Sequence, residues 1–121
     1  DILIENWNEM DGNNLYLDIV VGNIFADTYV KKAAKERLYV AKQKEIYKIK
    51  KYNHNTDIIP LAIETMGAMG DQFKQLLQKT SHRISERNNQ PYPMVMNRIR
   101  TKIVSVLMKQ NAKAILSAID L

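Results

Sequence analysis

The chain has 121 residues, 45% of them hydrophobic and 26% charged, the balance of one globular domain and unlike that of a disordered segment. It contains no Cys, which excludes disulfides and thiolate zinc sites. No apolar run approaches the ~20 residues of a membrane span, and no signal peptide is recognisable.

The net charge of +5 is unevenly placed: residues 1–28 carry six acids and no Lys or Arg, and residues 29–51 carry nine bases against Glu36 and Glu45. An acidic segment followed by a basic one can hold a cation and a polyanion side by side. A solvated basic helix is the plainer alternative. The chain begins without Met, inside what reads as a strand, and is read as a fragment of a larger protein; the absence of Cys suits an intracellular setting.

In chain order, residues 1–5 (Asp-Ile-Leu-Ile-Glu) read as a short strand. Residues 6–14 are polar, with Asp11-Gly12 and Asn13-Asn14 as turn signals. Leu15 to Val21 is a second strand, rich in β-branched and aromatic residues, and a hairpin with the first is the simplest pairing. Asp27 or Thr28 is expected to cap a helix running to about Lys51, with no Gly or Pro inside.

Ile58 to Glu64 is a third strand whose near-continuous apolar run implies burial on both faces. Pro60 argues against a regular central ladder there. The strand–helix–strand order predicts a parallel pair. After the Gly-containing loop 65–70 the chain turns helical, with Phe73, Leu76, Leu77, Thr80 and Ile84 at helical spacing. It breaks at 87–93 and resumes through Ile99, Ile103, Val106 and Leu107, with a possible interruption at Asn111. The expectation is an α/β fold: a small mixed sheet forms a core over 1–70, followed by C-terminal helices over 71–121.

Several residues could carry chemistry. Asp1 and Asp18 sit in predicted strands that a hairpin can bring together. Paired carboxylates repel unless a cation neutralises them, and oxygen ligands of this kind suit Mg²⁺ or Mn²⁺. The main-chain carbonyl of Ile19 could add a ligand. Strand-edge or turn roles are the plain alternative for both acids.

Asp18-Ile19-Val20 carries Val where a (D/E)xK motif would carry Lys, so the lysine would have to come from the following helix. Ala34, Arg37, Ala41, Lys44 and Lys48 fall on one helical stripe. Lys44 is the expected working lysine, Tyr47 follows one turn on, and Lys42 is the alternative. Glu64 ends an apolar strand and needs a partner, whether a metal, a lysine or a cap. Arg98, Arg100 and Lys102 could contact phosphates from a C-terminal helix. His54 and His82 lack a partner at metal-ligand spacing.

Taken in order, Asp1-Ile-Leu-Ile, Leu17-Asp18-Ile-Val-Val and Lys44-Glu-Ile-Tyr47 resemble the restriction-like endonuclease domain of site-specific non-LTR retrotransposons. That domain is a PD-(D/E)xK variant whose lysine is displaced onto the helix. Ile59-Pro-Leu-Ala-Ile-Glu-Thr-Met-Gly67 and Ser105-Val-Leu-Met-Lys-Gln-Asn-Ala-Lys-Ala-Ile-Leu116 resemble later segments of related mobile-element proteins. The chain starts at the first Asp, so the position where the family carries Pro is not in it. The Asp1–Asp18 gap is longer than usual, which leaves Asp11 as a fallback ligand.

The resemblance implies metal-assisted hydrolysis of a DNA phosphodiester. Asp1, Asp18 and Ile19 would hold Mg²⁺ or Mn²⁺, and Lys44 and Tyr47 would assist, with Glu64 nearby. Lys31, Lys35, Lys42, Lys48, Arg98, Arg100 and Lys102 would hold the DNA backbone. A covalently linked reverse transcriptase is the implied partner, with a nuclear location if the source is a eukaryotic mobile element. The competing expectations are an inactive nucleic-acid-binding domain of the same fold and a structural domain of a polyprotein.

Overall fold

A computed structural model describes residues 2–4, 14–55 and 57–119. The elements run β1 (Ile2–Ile4), β2 (Leu15–Gly22), α1 (Val30–Ala33), α2 (Tyr39–Lys51), β3 (Ile58–Glu64), α3 (Asp71–Asn88) and α4 (Tyr92–Ile119). The fold is mixed α/β, with a three-stranded sheet in the order β1-β2-β3. The chain forms two compact units. The first holds the sheet, α1, α2 and the start of α3, and the second holds residues 65–67, the rest of α3 and α4.

β1 and β2 pair antiparallel, Ile2 opposite Leu17, as the hairpin reading expects. β2 and β3 pair parallel, Asp18 opposite Pro60 and Gly22 opposite Glu64. The Tyr16 N–H donates to the Asp57 carbonyl at 2.9 Å and sets the phase of that ladder. With alternation along the strand, Pro60 turns its donor-free nitrogen away from β2, toward the other edge of β3, which is bridged by residues 68–70 only further along, at Ala62 and Glu64. Proline is therefore tolerated in a buried strand, and the reservation about a central ladder is met by β3 being an edge.

Asp18, Val20 and Gly22 share one face of β2, and their partners Pro60, Ala62 and Glu64 share it on β3. α2 packs on this face through Val40 and Ala41, both fully buried. The approach is close: a Cβ at Gly22 would meet Val40 Cγ1 at 2.6 Å. Small residues on both sides let the helix axis come down onto the strands.

The single helix expected from residue 27 or 28 to residue 51 is not formed. α1 ends after Ala33, residues 34–38 turn, and Leu38 adopts φ 62° before α2 begins. Neither Asp27 nor Thr28 caps α1; its N-cap is Tyr29, without a side-chain hydrogen bond. The reason is tertiary. Starting at Tyr39 leaves the Ala41 N–H free of an intrahelical partner, and the buried Glu64 carboxylate accepts from it at 3.1 Å. A continuous helix would satisfy that N–H internally and strand a buried carboxylate. The corner is fastened further by the edge-to-face contact of Tyr29 and Tyr39, with centroids 6.3 Å apart.

In the second unit α4 runs unbroken through Asn111, contrary to the interruption expected there. The Asn111 side-chain amide donates to the Thr65 carbonyl at 2.8 Å, so its polar group is used outside the helix and does not compete with it. The break between α3 and α4 falls at residues 89–91, as the sequence indicates. Asn89 is left-handed there, and Pro93 sits in the first turn of α4, where its missing N–H costs nothing. His82 and Tyr92 stack across this break at 3.9 Å. No helix among the described residues is long and apolar enough to cross a membrane.

Candidate functional site

Asp18 is buried, with 6% of its surface exposed, on the face of β2 that α2 covers. Its Oδ2 accepts from the Tyr52 hydroxyl at 2.6 Å and from the Lys48 ammonium at 2.9 Å. Lys48 and Tyr52 are four residues apart, so the last turn of α2 presents both to the same point. Burial pushes the Asp18 carboxyl up, but the hydrogen bonds from Tyr52 and Lys48 and the charges of Lys48 and Lys51 outweigh it and leave the carboxyl below its ordinary value. The hydrogen bond to Asp18 raises the Lys48 ammonium above its ordinary value, against the opposing effect of burial. The same carboxylate raises the Tyr52 hydroxyl. At neutral pH the cluster is a carboxylate, an ammonium and a protonated phenol.

The lysine at this point is Lys48 rather than Lys44. The offset follows from how α2 lies on the sheet. Gly22 touches Val40 near the start of the helix, and Asp18 lies four residues back along β2, about 13 Å at ~3.3 Å per residue. On a helix that distance takes about nine residues, which leads from Val40 to the turn holding Lys48. Lys44, one turn earlier, is half-buried beside Gly22 and places its ammonium 5.7 Å from the centre of the Tyr29 ring.

Tyr47 is 62% exposed. It lies near enough to Lys48 to add to the upward pressure on the ammonium, but it is Tyr52 that bonds Asp18. Of the stripe read from the sequence, Ala41, Lys44 and Lys48 lie on α2, whereas Ala34 and Arg37 precede it and are exposed.

The other candidates fall elsewhere. Asp1 and the fallback Asp11 lie outside the described residues. The Ile19 side chain is exposed on the sheet face opposite Asp18. Glu64 caps α2 from β3, the capping alternative considered for it. Lys31 and Lys35 are exposed around α1. Lys42 is exposed and pairs with Glu36 at 3.4 Å. Arg98, Arg100 and Lys102 are exposed on α4, and Arg98 donates to the Gln90 side-chain carbonyl at 3.3 Å.

Two residues were missed by the sequence reading. Tyr52 lies one residue past the helix end expected at Lys51 and outside the residues singled out, although its four-residue spacing from Lys48 is legible. Glu45 was counted only as a charge, yet it is buried, and its Oε1 accepts from the Gln72 N–H at 3.3 Å at the start of α3. Burial raises the Glu45 carboxyl; the Gln72 hydrogen bond opposes this, and the neighbouring Asp71 adds to it.

Among the described residues no group of three or more His, Cys, Asp or Glu side chains gathers as a metal cage. Comparison with known proteins finds no family model, no curated protein and no solved structure that matches this chain.

Proposed function

We propose that this chain carries a restriction-endonuclease-like core that hydrolyses a DNA phosphodiester in a metal-dependent reaction at the Asp18–Lys48–Tyr52 cluster. One observation carries the reading: a helix lysine and a tyrosine converge on a buried strand aspartate within a strand–helix–strand unit. Charge supports it, since three lysines, Lys48, Lys50 and Lys51, occupy the last turn of α2 beside that aspartate.

The protonation states assign the roles. Lys48 stays charged at neutral pH, so it holds a phosphate oxygen and offsets developing negative charge rather than removing a proton. Tyr52 stays protonated, so it serves as a hydrogen-bond donor and not as a tyrosinate nucleophile. Asp18 orients both.

A bound Mg²⁺ or Mn²⁺ would supply Lewis-acid polarisation of the phosphate and a more acidic water. Asp18 and the Ile19 carbonyl would hold it, with Asp1 as the second acid. Mg²⁺ commonly uses only one or two protein carboxylates and completes its shell with waters and phosphate oxygens, so a small acid count fits. In a mobile-element protein the nick would give a linked reverse transcriptase its 3′ end.

A second reading is a nucleic-acid-binding domain without cleavage. It is favoured by the ion pair of Asp18 with Lys48, with which a cation would have to share the carboxylate.

Nicking of supercoiled plasmid in Mg²⁺ or Mn²⁺ separates the two. The wild-type chain is expected to nick. Asp18→Asn and Lys48→Met should each lose about 100-fold or more, the scale of removing one group that stabilises transition-state charge. Tyr52→Phe should lose less, and Lys44→Met least. A folded, DNA-binding wild type with no metal-dependent nicking would leave the binding-only reading.

A further inference from the structure

At the end of α2 a recess of about 350 Å³ opens beside the cluster, walled by Tyr52, His54, Asn55, Ile59, Pro60 and Gln72 among others. Tyr52 belongs to both places: it lines the recess, and its hydroxyl bonds Asp18. The volume is at the small end of the ~300–1,000 Å³ typical of ligand sites. The lining residues include aliphatic ones, the aromatic-bearing Tyr52 and His54 and the carboxamide-bearing Asn55 and Gln72. That is the chemistry a nucleobase requires, with faces to stack on and amides to meet its polar edge.

The loop that forms one wall is held in an uncommon conformation. Asn53 and His54 are both left-handed, at φ 52° and 57°. The Asn53 N–H donates to the Lys50 carbonyl and the His54 N–H to the Ile49 carbonyl, so the loop closes the helix end. Asn55 Oδ1 accepts from the Asp57 N–H at 3.0 Å, which orients its amide nitrogen as the remaining donor. Two successive non-glycine residues in this region cost energy, and local bonds hold them there. The loop so held puts His54 and Asn55 at the recess.

We infer that this recess binds one unpaired nucleobase of a DNA strand whose adjacent phosphate lies at Lys48 and Tyr52. The inference rests on that cluster being a phosphate site, which both functional readings share. A base can enter only after leaving the duplex stack, at a cost of a few kcal/mol that a single strand does not pay. The recess therefore selects single-stranded or locally unpaired DNA, while the lysines around it hold backbone of either kind.

The test measures binding of the whole chain to a fluorescein-labelled single-stranded deoxyoligonucleotide and to the matching hairpin duplex, without metal. His54→Asn removes the ring yet tolerates a left-handed backbone. It should weaken single-strand binding roughly five- to a hundredfold, the range for losing one base–aromatic stack, and leave duplex binding within about twofold. Backbone amide shifts on adding the single strand should centre on Tyr52, His54, Asn55 and Gln72, independently of any variant.

Equal losses on both DNAs, or shifts that avoid the recess, overturn the inference. Displacement of the strand by free dAMP at its own binding constant would make the recess a mononucleotide site and overturn the strand assignment. A wild type that never nicks but shows the selective His54 effect sinks the endonuclease and keeps the base site. Nicking with no His54 selectivity does the reverse.

Discussion

Asp18 on β2 and Glu45 on α2 are both buried carboxylates, and their acidities move in opposite directions. Asp18 meets an ammonium and a phenol, which outweigh the cost of burial. Glu45 meets a neutral backbone N–H and lies near Asp71, so the cost of burial prevails. Burial alone therefore does not set what a carboxylate does. The charge of its partners decides whether it stays an anion that can organise cations or becomes a group that favours its proton.

The pH dependence separates them. The Asp18 folded pKa lies below the unfolded ~3.9, so its contribution is complete above that value and lost as pH falls through the folded pKa. Lys48 lies above the unfolded ~10.4, so its contribution is complete below that value and lost as pH rises through the folded pKa. The pair thus stabilises across the window between roughly pH 4 and pH 10. Glu45 has the contrary sign. Its folded pKa exceeds the unfolded ~4.3, so the native state holds more protons between the two values, and stability falls as pH rises through them.

The contrast can be broken first at Lys48. Lys48→Met strands the Asp18 carboxylate, and urea unfolding at pH 7 should show a loss of about 2–3 kcal/mol. That is below the ~3–5 kcal/mol of a fully buried pair because 17% of the Lys48 side chain is exposed. Adding Asp18→Asn to that variant should recover most of the loss, since no charge is then stranded. A single-variant loss near zero would reduce the pair to an ordinary surface bridge.

Glu64→Ala comes next. It removes the acceptor from the Ala41 N–H, and a loss of about 1–2 kcal/mol is expected, with hydrogen exchange fastest in the first turn of α2. Glu45→Gln is the smallest effect. It keeps an acceptor for Gln72 and removes the charge, so at pH 7 it should be neutral or stabilising by up to about 1 kcal/mol. Its stability should also lose the decline with rising pH just above pH 4. A clear destabilisation by Glu45→Gln would show that the charge is compensated, as it is at Asp18.

The three strands were legible for local reasons. Leu15–Val21 and Ile58–Glu64 are dense in β-branched residues bounded by polar turns, and both form strands. α3 was equally readable from its apolar spacing. Asp18 stood out because a hairpin could bring its strand beside Asp1, and paired carboxylates need a cation. The lysine it meets is Lys48, one turn beyond the expected Lys44, because the offset of α2 along the strands is not expressed in the spacing of residues on the helix. Tyr52 was passed over because a residue at a helix end reads like loop when the helix is seen without the sheet beneath it.

By itself, the order of residues determined the kinds of element, the hairpin and parallel pairing, the acidic-then-basic division of charge and the choice of Asp18 as a candidate. These depend on short-range periodicity and composition, which the chain carries in every window. Only the tertiary structure decided that Lys48 and Tyr52 meet Asp18, that Glu64 caps α2, and that Glu45 reaches α3. Those meetings depend on how far the helix slides along the strands. That offset is fixed by the Gly22–Val40 contact and by the need of a buried carboxylate for a donor, and neither is expressed in the spacing of residues along the chain.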